Sequence, residues 1–556
     1  MFSVKKNVLE TVALVKAYGI QRVVLSPGSR NAPLIHTFSQ DDFFTCDVIV
    51  DERAAGFYAL GIIQCTREPV VICCTSGSAL LNYAPAVAEA YYQQLPLVVV
   101  SADRSPEWID QMDGQTLPQP GIFGSLAKKS VALPEIRNES DRWYCNRLIN
   151  EALMACTSGC PGPVHINVPI SEPLFDYSEE VLPMTRRIRL ANPVQSVIRG
   201  KFGTRWNELP KRMIIVGQSF KSDITVELLE RLIARNDCVI LTEHLSNCFS
   251  PRFISNFDAL LYALPEEERA GFTPDLVITW GGHIVSKRLK QFLRTANPRE
   301  HWHISLSGEV TDLYRSLTDI IPVEPEFFLK DLLKEITPEQ EKPFYEKWRK
   351  SADKLVEPST EETFSDLVVT GRLLECLPQH AFLHLGNSSP VRNAQLYVLN
   401  PSVTVFCNRG VNGIEGTLAS TIGFASATSE SVYLLIGDLS FFYGLNSLWN
   451  IEHIRNLRIL LINNGGGGIF HLLPGLNKTD SLKHYVAASH TGKAEGWAEA
   501  GGLYYLSAEN KEELDEKLEL FTDQRIKRSI VLEVFTDPEI NKKEFVDYYR
   551  RLKQLF

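Results

Sequence analysis

Short continuous apolar runs, separated by helix-length segments, recur along the whole chain. A first series covers residues 23–26, 48–51, 70–75, 97–101 and 163–168. A second covers 213–216, 238–242, 276–279 and 301–305, and a third 381–385, 403–407, 432–436, 458–462 and 530–534. A run that is apolar at every position, rather than at alternate ones, fits a strand buried on both faces of a parallel sheet. Consecutive parallel strands need a crossover of a dozen or more residues, which the intervening segments provide. The chain is therefore α/β, with three doubly wound parallel-sheet domains expected at 1–180, 195–345 and 360–556. Residues 182–196, rich in Pro, Arg and Asn, read as a linker, and 322–363, rich in Lys and Glu, as helix and linker. No low-complexity segment or short repeat is evident.

A length of 556 residues suits three domains, and 44% hydrophobic content can build their cores. The longest apolar runs fall far short of a membrane span, and Met1-Phe2-Ser3-Val4-Lys5-Lys6 lacks a following signal-type apolar region. A formal net charge of −10 argues against a nucleic-acid or acidic-membrane partner. The 11 cysteines are scattered, and Cys73-Cys74 adjoin within a strand run. They read as buried hydrophobes of a reducing, cytoplasmic protein rather than as zinc or redox groups.

Two groups of strand ends carry chemistry. Gly437-Asp438-Leu439-Ser440 ends the run 432–436, and Asn463-Asn464-Gly465-Gly466 ends the run 458–462. One crossover helix between them would bring Asp438 and Asn464 to the same sheet edge, where their hard oxygens suit magnesium beside a diphosphate. Gly465–Gly468 lets backbone amides approach phosphate closely, and a helix start after it would add positive dipole. The plainer alternative is an Asp helix cap and an Asn-Gly turn. Near the amino end, Pro27-Gly28-Ser29-Arg30 turns sharply after a strand run. Glu52 follows the run 48–51 and opens a helix at 54–63, where an acid is commonly only a favourable first-turn charge.

Taken together, these motifs resemble the thiamine diphosphate-dependent enzyme superfamily. The segments Ser26-Pro27-Gly28-Ser29-Arg30-Asn31-Ala32-Pro33, Asp51-Glu52-Arg53, Ser101-Ala102-Asp103-Arg104, Gly386-Asn387-Ser388, Asn408-Arg409-Gly410 and Ile469-Phe470 narrow it. They resemble the 2-succinyl-5-enolpyruvyl-6-hydroxy-3-cyclohexene-1-carboxylate synthase branch, the menaquinone-pathway enzymes. The similarity runs from about residue 4 to 534 and is weakest between about 179 and 360. Two departures stand out: Gly-Asp-Leu-Ser replaces the general Gly-Asp-Gly, and the glycine run after Asn464 is long.

The resemblance implies a decarboxylase-type fold, with a pyrimidine-binding first domain, a central α/β domain and a diphosphate-binding third domain. It implies thiamine diphosphate and magnesium, with manganese able to replace it, the metal being held by Asp438, Asn464 and Gly466. Cofactor contacts are implied for Pro27, Glu52, Gly77, Asn82, Gly386, Asn387, Ser388, Ile414, Gly437, Asp438, Leu439, Ser440, Asn464, Gly466, Gly467, Ile469 and Phe470. Glu52 would share a proton with the aminopyrimidine ring, whose imino nitrogen then removes the thiazolium C2 proton. Ile414 would prop the cofactor in its bent form, though simple core packing explains an apolar residue there equally well. Ile469, Phe470 and Leu473 could wall the site or merely anchor a loop. His471 between them reads as structural.

Arg30, Arg104, Arg392 and Arg409 lie near strand ends, where doubly wound sheets bind ligands, and Lys287-Arg288 adds charge after the middle-domain strand. A lone arginine is usually a surface or ion-pair residue, but planar guanidinium forks at corresponding edges suit dicarboxylates. The resemblance adds Ser29, Gln115 and Ser388 to this substrate set, although Gln115 and Ser388 could be ordinary cap or loop residues and rank below the arginines. The implied reaction decarboxylates 2-oxoglutarate and adds the resulting succinyl-semialdehyde carbanion to isochorismate, in a homodimer or dimer of dimers. Another thiamine-dependent 2-oxo acid decarboxylase or acetolactate synthase-like carboligase is the alternative, and the arginines favour a dicarboxylate over pyruvate. A catalytically silent protein of the same fold is opposed by intact Glu52, Asp438 and Asn464. A nicotinamide dehydrogenase fails on its missing G-x-G-x-x-G context.

Overall fold

Burial on both faces, which the apolar runs demand, is met by three parallel sheets in the computed structural model, which describes residues 1–190, 201–451, 453–473, 475–476 and 479–556. The first sheet contains β1 (Arg22–Leu25), β2 (Thr45–Val48), β3 (Val70–Cys74), β4 (Leu97–Asp103), β5 (Lys129–Ala132) and β6 (Val164–Pro169), in the order β2-β1-β3-β4-β6-β5. The second contains β7 (Arg212–Val216), β8 (Cys238–Thr242), β9 (Leu276–Trp280), β10 (Glu300–Ile304) and β11 (Asp319–Ile321), in the order β11-β10-β9-β7-β8. The third contains β12 (Phe382–Leu385), β13 (Thr404–Phe406), β14 (Val432–Gly437), β15 (Leu457–Asn463), β16 (Tyr504–Ala508) and β17 (Ile530–Phe535). Its order, β13-β12-β14-β15-β17-β16, repeats the topology of the first.

The central strands behave as the runs predict: every residue of β3, β7, β8, β9 and β15 is buried. Each Val, Leu or Ile so buried contributes roughly 1.5–3 kcal/mol. The expectation fails at sheet edges. The run 48–51 is not a strand; the strand lies earlier, at β2, whose residues are half-buried or exposed. Strands β5, β11 and β16 have no apolar run behind them, because an edge strand needs only one or two inward side chains. The stretch 322–363 holds two helices, Pro325–Glu335 and Pro343–Ala352. The linker expected at 182–196 has no helix or strand through 190, and its remainder lies outside the described residues.

The helix expected at 54–63 begins earlier, at Glu52, where the Asp51 side chain caps it by accepting from the Ala54 amide at 3.0 Å, and ends later, at Thr66, before Arg67 in the left-handed conformation. It packs along the helix Thr417–Ser426 of the third region. Phe57, Leu60, Ile422, Phe424 and Leu434 belong to one apolar core spanning both regions. The first and third sheets are thus docked through a helix pair, with the second sheet beside them.

Candidate active site

Strands β14 and β15 pair in parallel with Gly437 opposite Ile462, so the residues that follow them emerge side by side at one carboxyl edge. Asp438 emerges from β14 and Asn464 from β15. The connection between them is not one long helix but the short helix Asp438–Tyr443 followed by the 3-10 turn Leu445–Asn450. Asp438 is buried. Its Oδ1 accepts from the Leu439 amide at 2.6 Å and its Oδ2 from the Gly466 amide at 2.8 Å. Burial raises its pKa above the usual carboxylate range, and the backbone donors work against that rise. Asn464 donates through Nδ2 to Asp366 at 3.1 Å, whereas its buried Oδ1 has no partner.

Gly466 has φ +148°, and a Cβ there would crowd the Ala487 carbonyl, so the close approach of this loop requires glycine. The glycine run differs from expectation in one respect. Its four amides do not stand open: they donate to Asn463 Oδ1, Asp438, the Ala487 carbonyl and the Gly466 carbonyl at 2.7–3.2 Å. Backbone donors seldom remain unpaired, and here the loop supplies its own acceptors. A 3-10 turn, Gly468–Leu472, follows in place of an α-helix start. A cavity of about 590 Å³ opens beside Asn464, Gly465 and Gly466 and extends to His484, Ser489 and Lys542. That volume lies within the range of small-molecule and cofactor sites.

Two residues not singled out from sequence complete this corner. His490 places Nε2 3.2 Å from Asp438 Oδ2, an ion pair when the ring is protonated. Asp366, buried at the start of the helix Asp366–Cys376, has its pKa raised to about 6, chiefly by burial and also by the charge of Asp438. Sequence offered no signal for either: Asp366 reads as an ordinary first-turn acid, and His490 sits in a loop without periodicity.

The neighbouring strand ends of the third sheet are tied to the same edge. Ser440 donates to the Ile414 carbonyl at 2.5 Å, joining the Asp438 helix to the Ile414 loop. The Asn387 amide is wholly engaged: it donates to the carbonyls of Asn408 at 2.6 Å and Gly413 at 2.7 Å, and its Oδ1 accepts from Arg409 at 2.9 Å. Ser388 follows buried Gly386 with φ +77° and ψ −124°, a conformation that costs a non-glycine residue roughly 1–3 kcal/mol. Arg392 donates to the Ser388 carbonyl at 2.6 Å, and Arg409 is buried with its Nε unpaired. Burial, reinforced by the charge of Arg409, lowers the pKa of Arg392. Among the described residues no carboxylate lies within ion-pair distance of either guanidinium. Gly437, Leu439, Gly467, Ile469 and Phe470 are each half-buried along this edge.

The first sheet presents a second constellation. Gly28 passes so close to Thr75 that a Cβ would overlap its side chain, and Pro27 and Ser29 beside it are exposed. Gly77, at φ +85°, packs against the Gln115 backbone and donates its amide to Gln119 at 2.8 Å. The loop after β4 thus folds over the end of β3. Arg104 holds that loop by pairing with Asp113 at 3.3 Å and donating to the Gly114 carbonyl at 2.9 Å. Arg30 and Arg104 converge on Glu172 at 3.3 and 3.8 Å. Glu52, half-buried at its helix start, accepts from Asn82 at 3.4 Å. In the middle region, Arg288 pairs with Asp258 and stacks on Tyr262 and Tyr549, so its charge is already matched, while Lys287 is exposed.

Comparison with known proteins shows the family. The family model "Thiamine pyrophosphate enzyme, N-terminal TPP binding domain" matches residues 10–122, and "Middle domain of thiamine pyrophosphate" matches 191–385. A 2-succinyl-5-enolpyruvyl-6-hydroxy-3-cyclohexene-1-carboxylate synthase of Bacteroides thetaiotaomicron is 48% identical, covering 100% of both chains. The synthase of Flavobacterium psychrophilum is 38% identical over 97% of this chain and 98% of its own. The chain belongs to this synthase family of thiamine diphosphate-dependent enzymes. A benzoylformate decarboxylase from Polynucleobacter necessarius shares the fold, with a TM-score of 0.74 over 96% of this chain and 99% of its own at 17% identity.

Within the synthase fold, Asp438, Asn464 and Gly466 come together at one edge, with Ser440 and Ile414 linked beside them. Glu52, Asn82, Gly77, Gln115, Arg30 and Arg104 gather at the first-sheet edge. Among the described residues no hydrogen bond or ion pair joins one set to the other within the chain. His471 lines the cavity beside Asn464, Gly465 and Gly466 and approaches Glu539, of the helix Pro538–Lys553, at 3.5 Å.

Proposed function

We propose that this enzyme decarboxylates 2-oxoglutarate and adds the resulting four-carbon unit to isochorismate, forming 2-succinyl-5-enolpyruvyl-6-hydroxy-3-cyclohexene-1-carboxylate and carbon dioxide. The observation that carries the substrate choice is the neighbouring pair Arg392 and Arg409, buried or half-buried and free of carboxylate partners. Two such guanidiniums are poised for a ligand that brings its own carboxylates. Lys287 would add positive charge around the site; Arg30 and Arg104, here paired with Glu172 and Asp113, would reach substrate by exchanging those partners, with Ser29, Gln115 and Ser388 as polar contacts. Arg288, already paired with Asp258, would act mainly by shaping the wall.

The donor set fits a magnesium ion, or manganese in its place. Asp438 supplies a buried carboxylate, Asn464 an unpartnered buried amide oxygen and the Gly466 loop a close backbone approach. Thiamine diphosphate, when bound, supplies a thiazolium carbon nucleophile and a ring that holds the electron pair left by decarboxylation. Glu52 would hold a proton at the aminopyrimidine ring, and Ile414 would support the bent cofactor. Ile469 and Phe470 would keep water from the reacting atoms.

The domains read as pyrimidine-binding at 1–180, central at 195–345 and diphosphate-binding at 360–556. The enzyme reads as a homodimer, or dimer of dimers, whose sites are completed across the two-fold axis. Unpaired cysteines, and the lack of any helix long and apolar enough to cross a membrane among the described residues, support a cytoplasmic location.

The deciding experiment incubates the protein with thiamine diphosphate, magnesium, isochorismate and either 2-oxoglutarate or pyruvate, and identifies the product by mass spectrometry. The expected outcome is the succinyl adduct from 2-oxoglutarate alone. Carbon dioxide release from pyruvate at an equal or greater rate would overturn the substrate assignment. Arg392→Ala and Arg409→Ala should each cost roughly 2–4 kcal/mol in kcat/KM while sparing cofactor binding.

A further inference from the structure

Asn464 can serve a cation only through Oδ1, yet the two ends of its amide exchange by a half-turn of the side chain. Something must select the end that faces inward. The carboxylate of Asp366 stands on one side of that amide, and an ionised carboxylate can only accept. Its Oδ1 accepts from Thr536 Oγ1 at 2.7 Å and from Asn541 Nδ2 at 2.7 Å, and its Oδ2 accepts from Asn464 Nδ2 at 3.1 Å. Asn541 returns the contact by accepting from the Asp366 amide at 2.8 Å. Asp366 is therefore clamped by the segment after β17 and by the helix Pro538–Lys553, and is buried against both. Rotating the Asn464 amide would set its oxygen against a fixed carboxylate oxygen and leave its NH2 in place of the buried, unpartnered Oδ1.

We infer that Asp366 is a positioning residue that fixes the Asn464 amide with its oxygen toward the metal. The inference rests on the reading of Asn464 as a metal ligand. Asp366 acts through the hydrogen bond to Asn464, and Thr536 and Asn541 hold it in place. Partners that orient a metal ligand from behind typically contribute 10- to 100-fold to metal affinity.

The test measures Mn2+ binding to the full-length protein with saturating thiamine diphosphate, from the electron paramagnetic resonance signal of free Mn2+. Asp366→Ala should weaken Mn2+ roughly 10- to 100-fold. In an Asn464→Asp background both side-chain oxygens are equivalent, so removing Asp366 should cost nothing there and should relieve like-charge repulsion. A loss of less than about twofold in the native background, or an equal loss in both backgrounds, would overturn the inference, the second result marking a general structural defect. Should circular dichroism show Asp366→Ala unfolded, Asp366→Ser keeps a helix-start residue too short to reach Asn464, and the same outcomes apply. Asn464→Ala separates the two levels. Unchanged Mn2+ affinity in that variant removes the ligand reading itself, whereas a loss there without one in Asp366→Ala removes only the positioning role.

Discussion

Gly61 and Ser420 face each other across the helices Glu52–Thr66 and Thr417–Ser426 so closely that a Cβ on the glycine would overlap the Ser420 carbonyl oxygen. Gly423 stands in the same relation to the Tyr58 carbonyl, so the two helices touch backbone to backbone at two points. Glycine inside a helix costs about 1 kcal/mol relative to alanine, and replacement on an open surface would recover it. Here the sign reverses. Gly61→Ala should destabilise the protein by about 3 kcal/mol, because the core between the first and third sheets must open to admit the methyl group. Urea unfolding that finds the variant as stable as the parent would show that the helix pair is not rigidly docked.

Glu52→Gln keeps a hydrogen-bonding group at the helix start but removes the capacity to share a proton. Exchange of the thiazolium C2 proton in the bound cofactor should slow roughly 10²- to 10⁴-fold, with a much smaller effect on cofactor affinity. Deuterium exchange followed by acid quench and NMR reads this directly. An undiminished exchange rate would remove Glu52 from activation.

Asp438→Ala should lose thiamine diphosphate and magnesium together, since its carboxylate is the sole charged donor proposed for the metal. Co-expressing it with Glu52→Gln tests the two-chain site. In a mixed dimer one site carries both defects and the other neither, so random pairing should leave about a quarter of all sites active although each parent is dead. Tandem purification on two tags isolates the heterodimer. Activity no greater than that of the parents would place both residues in one chain's site.

His384 lies buried in β12, stacked on Phe406 and edge-on to Phe424, with Nε2 unpaired. Burial lowers its pKa to about 3, against about 6.5 in an unfolded chain. Between those values the unfolded state holds a proton that the native state refuses, so stability falls as pH drops below about 6.5. At pH 5 the loss amounts to about 2 kcal/mol. His384→Leu should lack it: the parent's stability relative to the variant should fall by that amount between pH 7.5 and pH 5, as measured by denaturant titration. A pH-independent difference would locate acid sensitivity elsewhere.

The strands that end at Asp438 and Asn464 were legible because parallel strands buried on both faces admit no polar interruption, and the polar residue that ends such a run marks the sheet edge. The edge strands Thr45–Val48, Lys129–Ala132 and Tyr504–Ala508 left no such mark, since solvent on one side relaxes the demand for apolar residues. The arginines could be placed at strand ends by sequence, but not their pairing. That Arg288 is neutralised by Asp258 while Arg392 and Arg409 lack a carboxylate depends on contacts between segments far apart in the chain.

The three α/β units, the synthase family and the residue types at two strand edges were readable from local pattern, because burial periodicity and turn chemistry are local. Folding alone sets Asp366, Thr536 and Asn541 behind Asn464 and brings His490 to Asp438. It likewise decided that the glycine loop satisfies its own amides through Asp438 and Ala487. Each of these contacts joins residues brought together only when the third sheet closes. A lone buried acid or loop histidine carries no periodic signal, and its role follows from which donors the folded chain aims at it.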